Sequence, residues 1–489
     1  MQLNIEEGSP TKGRSSVAKW TFAFILVSLI VFLSERAFFV NNLPILLPAF
    51  ATIGVFLYFS LRLRFQIQDN ILGEIGFLYL AFAVAYTLFP ALGFLTQNAL
   101  PSWVGIPILQ ILLPEQRELG LELWRQVLFI GAVASGYLLF RGKRASVFRS
   151  FDSLGTAEKP IIYFLLTSIV ASVIALWWLA APVHEYVDYY TRYGHLSWIG
   201  LRVVSLCTVL KTGGTYVLLV ILFRDYKRYR ILIWSFVLLR TIQEVLGSFG
   251  ARIGAFMTLI AAAVLYHYCV KQITSKKAIV ATLALLLVFS AIATIRLGDF
   301  GSSEQSASAD LDFGELGAVF VPGFQLYAAR SMGTLPPVPW QLFFDDFISI
   351  VPLANDKKWQ PMYWWADNYD PDAVVPPITL GPIALSALWG GGLFLSFEGL
   401  VNGILFAALM RWFARSGGNW RVMTVYVFCY STCVMCLKYS IFWHLTPLLR
   451  TILPPVLIVS VFVKIFRETP NERTASVSEH PEGGITYNG

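Results

Sequence analysis

An all-α, polytopic integral membrane protein of about 12 transmembrane helices with one large external loop carrying short helices is the fold this chain predicts. Three observations carry that prediction. Of 489 residues, 56% are hydrophobic and only 14% charged, whereas soluble proteins carry about 25% charged residues; the mean hydropathy is +0.63. Apolar runs close to the roughly 20 residues needed to cross a bilayer recur along the whole length. Lys and Arg are dense in every second segment between those runs and sparse in the others.

Taken in order, residues 1–19 are polar, carry Lys12, Arg14 and Lys19, and read as a disordered cytoplasmic leader. The run from Trp20 follows that basic stretch as a signal peptide would. No small-residue cleavage site comes after it, so it reads as an uncleaved first span. Hydropathy then places spans near 20–34, 43–61, 71–90, 121–140, 160–181, 198–223, 231–247, 253–270, 278–296, 391–411, 420–438 and 446–464. Residues 20–467 thus make one membrane domain, and 468–489 form a polar, disordered cytoplasmic tail.

The basic residues test this layout. One set of alternate segments holds 23 Lys and Arg, the opposite set holds 8, and the other six of the 37 lie within spans. Such an excess puts both termini in the cytoplasm. The net charge of +7 belongs to termini and short loops, so it gives no reason to expect nucleic-acid binding.

Three external segments are more than turns. Residues 91–120 hold Pro101, Pro107 and Pro114 around an apolar stretch too short to span, as an interfacial or re-entrant piece would. Residues 182–197 are dense in Tyr and mixed charge. Residues 297–377 form the large external loop, with a Ser/Ala/Gly tract at 301–309 and the aromatic run Trp359-Gln360-Pro361-Met362-Tyr363-Trp364-Trp365. Loops that long are usually functional. Residues 378–390 then read as an external helix lying on the membrane ahead of the span at 391–411.

The chemistry is cationic. Arg202, Arg252 and Arg296 fall at the outer ends of spans, Arg330 lies in the large loop, and Lys438, His444 and Arg450 flank the last external turn. As a set they would line an external cavity for phosphate or pyrophosphate. Singly, each also suits a snorkelling or paired residue. Arg240 and Glu244 stand i, i+4 in one helix and read as a mutually neutralising pair. For a general base, the neighbouring Asp345 and Asp346 present carboxylates on the external side, a pattern that also fits a helix cap. Trp359, Trp364 and Trp365 suit sugar faces or an interfacial aromatic belt. Cys429, Cys433 and Cys436 share a helix face without a nearby His or carboxylate and read as packing rather than a metal site. The chain has no Walker loop, HExxH or GxSxG, which argues against an ATPase, a zinc protease or a lipase-type hydrolase.

Gly250-Ala251-Arg252-Ile253-Gly254 resembles the Gly-x-Arg-Gly-type signature of bacterial oligosaccharide repeat-unit polymerases, the Wzy-type family. Phe344-Asp345-Asp346-Phe347-Ile348-Ser349-Ile350-Val351-Pro352 is similar to another of its elements. So is Pro377-Ile378-Thr379-Leu380-Gly381-Pro382 continuing through Gly390-Gly391, although Pro382 stands where many relatives have Glu. Val351-Pro352 also lacks the Arg that often follows. The resemblance covers roughly residues 200–465.

It implies a GT-C-like architecture and a metal-independent membrane glycosyltransferase with no cofactor, on the outer face of the bacterial inner membrane. The substrate implied is an undecaprenyl-pyrophosphate-linked oligosaccharide, polymerised into a surface polysaccharide, with a chain-length regulator and a flippase as partners. Arg252, helped by Arg202, Arg296 and Arg330, would hold the pyrophosphate. Asp345 or Asp346, with His444 next, would serve as base, and Trp359, Trp364 and Trp365 would face the sugar. An O-antigen ligase-like transferase would use similar arginines with a different acceptor. A lipid-linked oligosaccharide flippase would need cations reachable from both sides.

Overall fold

A computed structural model of the chain describes residues 45–67, 71–97, 116–142, 154–181, 192–247, 252–274, 277–278, 314–344, 361–369, 380–416, 418–439 and 445–468. The fold is all helical, with no strand among the described residues. The helices are α1 (Leu46–Ile67), α2 (Ile75–Gln97), α3 (Gln116–Arg141), α4 (Glu158–Leu179), α5 (Trp198–Arg224), α6 (Tyr226–Gly247) and α7 (Arg252–Cys269). They continue with α8 (Gly314–Ser331), α9 (Pro361–Tyr369), α10 (Pro382–Trp389), α11 (Gly392–Arg415), α12 (Trp420–Thr432), α13 (Met435–Lys438) and α14 (Leu453–Glu468), the last preceded by a π-turn at Leu448–Ile452.

Among the described residues, six helices are long and apolar enough to cross a membrane: Leu46–Ile67, Gly120–Arg141, Gly155–Leu179, Trp198–Arg224, Gly392–Arg415 and Leu448–Phe466. Their outer faces are apolar and open. Phe65, Trp177, Trp178 and Trp198 are each at least 66% exposed, an arrangement that water penalises and lipid does not. The chain is a helical membrane protein. Helices lie over ten of the twelve stretches expected to span; residues 20–34, and all of 278–296 except residue 278, lie outside the described residues.

Local chemistry sets several boundaries. Ser197 caps α5 by accepting a hydrogen bond from the Gly200 amide, and Asn419 caps α12 by accepting from the Arg421 amide. Pro382 opens α10 at its first turn, where a missing N–H costs nothing. Gly391, at φ +65°, turns the chain from α10 into α11.

The tightest helix pair is α3 with α11. Gly399 and Gly403 on α11 face Ala132 and Gly136 on α3, so that a side chain at Gly136 would run into the Leu400 carbonyl and one at Gly403 into the Val133 carbonyl. Small residues four apart let backbones touch and gain dispersion contact where lipid supplies no hydrophobic drive. At one end of this pair a buried ion pair closes the bundle. Arg141 donates to Glu74 Oε2 at 2.6 Å and to Oε1 at 2.7 Å, and Tyr137 donates to Oε2 at 2.5 Å. The neighbouring Gly73 carbonyl accepts from the hydroxyls of Tyr268 and Tyr426.

Two expectations change. Residues 378–390 do not lie on the membrane surface: from Pro382 to Leu388 every residue of α10 is buried, so the helix is packed inside protein against α8 and α11. Its composition, apolar but for Ser386, suits a fully buried helix as well as a surface one. The 297–377 loop carries helices among its described residues, as expected, but α8 does not stay outside: its Phe324, Leu326 and Tyr327 are buried in the core.

Candidate functional site

Besides the Glu74–Arg141 pair, two clusters of charge among the described residues lie inside the apolar bundle. The first joins α5, α6 and α7. Glu244 on α6 receives Arg240 from one turn earlier on the same helix and Lys211 from α5, the latter at 3.3 Å. Arg240 also donates from Nε to Thr215 Oγ1 at 3.3 Å, and Thr215 donates in turn to the Lys211 carbonyl. Gly254, two residues after the start of α7, lies against the same carboxylate; a Cβ there would sit 2.6 Å from Glu244 Oε2. That glycine lets the head of α7 close on the ion cluster.

Counted over the described residues, the charges in this cluster do not balance. Two cations share one carboxylate, and the side chains of Arg240 and Lys211 are only 6% and 17% exposed. Arg192 adds positive potential at Lys211. Uncompensated charge in a low-dielectric interior costs several kcal/mol, a cost that a bound anion would offset. Outside this knot Arg202 is exposed with its guanidinium 4.9 Å from the Trp198 ring centroid. It lies within electrostatic range of Arg450, on the π-turn that packs against α5.

The second cluster joins α3, α8 and α10. Glu122 is wholly buried, and its Oε2 accepts from Arg125 at 3.1 Å while Oε1 has no hydrogen-bond partner. The Arg125 guanidinium lies 3.6 Å from the Tyr327 ring centroid, close cation–π stacking. Tyr327 bonds to Ser386 at 2.7 Å, and burial pushes its hydroxyl up to about 12, which keeps it protonated. Arg330 ends α8, is exposed, and donates to the Ala387 carbonyl at 2.6 Å.

The residues expected to bind pyrophosphate are thus divided. Arg252 opens α7 at the first cluster, with its side chain outside the described part. Arg202 stands near Arg450 on the same helix as Lys211. Arg330 belongs to the second cluster, and Arg296 lies outside the described residues, as do Asp345, Asp346, His444 and Trp359. Trp364 and Trp365 are buried, at 5% and 0% exposure. Trp364 donates to the Pro337 carbonyl and Trp365 stacks on Tyr369, so in this conformation both rings pack against protein rather than opening toward a sugar.

Arg240 and Glu244 pair as their spacing predicts, but the third member, Lys211, comes from another helix. Sequence reading does not single out Lys211, Glu122 or Arg125. The signal available for each is an ionisable residue inside an apolar span, which marks a functional position by default. Among the described residues, no three His, Cys, Asp or Glu gather where they could hold a metal. No protein-family model matches the chain, and neither a curated protein nor a solved structure matches it.

Proposed function

We propose that this protein polymerises undecaprenyl-pyrophosphate-linked oligosaccharide repeat units into a surface polysaccharide, as a metal-independent glycosyltransferase of the bacterial inner membrane. In this reading it has about twelve spans in a GT-C-like arrangement, both termini cytoplasmic, and works beside a flippase and a chain-length regulator. One observation carries it: Lys211 and Arg240 crowd a single carboxylate at the head of α7, where Arg252 begins the helix. Transfer of a glycan from its carrier leaves a pyrophosphate whose charge grows as the glycosidic bond breaks. Preorganised cations in a dry site stabilise that charge without a metal. Arg252, Arg202, Arg296 and Arg330 retain their proposed part in guiding the anion, with Asp345, Asp346 or His444 as base.

The test is direct. Purified protein in lipid nanodiscs, given lipid-linked repeat units isolated from the source cells, should lengthen them without nucleotide or metal. Arg252→Lys should cripple this, since Lys keeps the charge and loses the planar fork; full activity in that variant would remove Arg252 from the site.

One observation favours a second reading. Lys211 joins Arg240 inside the bundle, so cationic charge extends away from the span ends, as a lipid-linked oligosaccharide flippase would require. Reconstituted vesicles that translocate the lipid-linked unit and never lengthen it would select that reading.

A further inference from the structure

The exposed face of α6 changes character along its length. With 3.6 residues per turn, Lys227, Arg230, Ile231, Trp234, Leu238 and Ile242 fall within about a third of the helix circumference. All of them are exposed, the apolar ones by 83%, 41%, 60% and 44% in chain order, while Ile233, Val237 and Arg240 on the other side are buried. The face is therefore cationic in its first turn and apolar from there on. Ile231 and Ile242 are 11 residues apart, about 16 Å of helix, close to half of a hydrocarbon core of about 30 Å.

The cations lie where this end of the bundle meets a membrane surface. α5, long and apolar enough to cross, ends at Arg224, and α6 starts two residues later. At the same end Lys271 follows α7, is exposed, and its amide bonds to the Tyr266 carbonyl at 3.0 Å. The Tyr266 ring stands edge-on to Tyr226 at 5.7 Å and lies 6.4 Å from Trp234, whose Nε1 donates to the Tyr226 hydroxyl at 3.1 Å. Tyr and Trp gather at the headgroup level of a bilayer, which sets the depth of the neighbouring Lys227, Arg230 and Lys271. The acids at this end do not neutralise them. Glu158 pairs with Arg224, Asp225 is half-buried in the turn, and among the described residues no ion pair reaches Lys227, Arg230 or Lys271.

We infer that this face binds an anionic phospholipid of the surrounding bilayer, its phosphate held by Lys227, Arg230 and Lys271 and one acyl chain lying along Ile231, Trp234, Leu238 and Ile242. Charge complementarity selects an anionic head over a zwitterionic one, because basic side chains at a membrane surface attract net negative charge. The lipid-linked carrier proposed above is not the occupant: Arg202 and Arg252 stand at the opposite ends of α5 and α7. Arg202 and Arg224 are 22 residues apart, about 33 Å of helix. The inference stands without the polymerase reading.

Native mass spectrometry of the full chain in a non-ionic detergent tests it, by titration with phosphatidylglycerol or phosphatidylcholine of the same acyl chains. Wild type should hold phosphatidylglycerol about tenfold or more tightly than phosphatidylcholine. Lys227→Gln/Arg230→Gln/Lys271→Gln should weaken phosphatidylglycerol about 100-fold, roughly fivefold for each cation removed, and leave phosphatidylcholine within about twofold. Lys227→Gln alone should lose about fivefold, which keeps a readout if the triple variant does not fold. Arg64→Gln/Arg415→Gln/Arg421→Gln removes exposed cations near the ends of α1, α11 and α12 and should bind as wild type does. Undecaprenyl pyrophosphate added in equal amount should leave phosphatidylglycerol in place. Equal affinity of wild type for the two phospholipids, no loss in the glutamine variants of this face, or as large a loss in the Arg64 variant overturns the inference. Displacement by undecaprenyl pyrophosphate also overturns it, and gives the face to the carrier.

Discussion

Glu74 and Glu244 are both carboxylates inside an apolar bundle, and they are compensated differently. Glu74, 2% exposed, meets one arginine through two short hydrogen bonds and one tyrosine hydroxyl, so the charge closes one to one. Glu244 meets Arg240 and Lys211 together, and among the described residues positive charge is left over. Burial of ions is expensive in both places. In the first, the helices α2 and α3 gain a fixed junction and nothing is left to bind. In the second, α5 and α6 carry an electrostatic deficit whose natural completion is an anion. On the function proposed above, counting charges and hydrogen bonds around each buried acid separates a structural ion pair from a ligand site.

The largest way to break this contrast is at the closed pair. Glu74→Ala leaves Arg141 buried without its counter-ion, and should lower unfolding stability by about 3–5 kcal/mol, measured by denaturation in detergent. Arg240→Met should behave otherwise. It leaves Lys211 and Glu244 as a balanced pair, so stability should change by less than about 1.5 kcal/mol. Affinity for undecaprenyl pyrophosphate should fall about tenfold to a hundredfold, the equivalent of one charge-assisted hydrogen bond. Equal destabilisation by Glu74→Ala and Arg240→Met, with no change in anion binding, would erase the distinction. Lys211→Met should resemble Arg240→Met with a smaller loss, because Lys211 is more exposed and contacts Glu244 at the longer 3.3 Å.

How far this was legible in the sequence follows from the range of the interactions. Hydropathy is local, and it placed helices along most of the chain. The Arg240–Glu244 pair is one helical turn apart, so its spacing alone predicts it. Lys211 stands 33 residues before Glu244, and only the packing of α5 on α6 brings them together. Glu122 and Gly323 meet in the same way, across α3 and α8. The helix at Pro382–Trp389 illustrates the other limit: a short run with no polar face gives no period by which to choose between a membrane surface and a protein interior. Burial of all seven residues from Pro382 to Leu388 decides it. The burial of Trp364 and Trp365 was likewise unreadable, since an aromatic run has the same composition at an interface and in a core.

The smallest effect sharpens the closed side of the comparison. Tyr137 donates to Glu74 Oε2 at 2.5 Å, and Arg141 Nε reaches the same oxygen at 2.6 Å. Tyr137→Phe removes one donor, leaves the carboxylate bonded at both oxygens by Arg141, and keeps the ring that packs edge-on against Phe59. Nothing charged is orphaned, so the loss should be near that of one ordinary hydrogen bond, about 1 kcal/mol. Detergent unfolding of Tyr137→Phe, Glu74→Ala and the double variant measures it. If the ion pair alone closes this end of the bundle, Tyr137→Phe costs little by itself and nothing further once Glu74 is gone. A loss as large as that of Glu74→Ala would mean that the tyrosine, and not the arginine, is what satisfies Glu74, and the one-to-one closure would no longer describe this site.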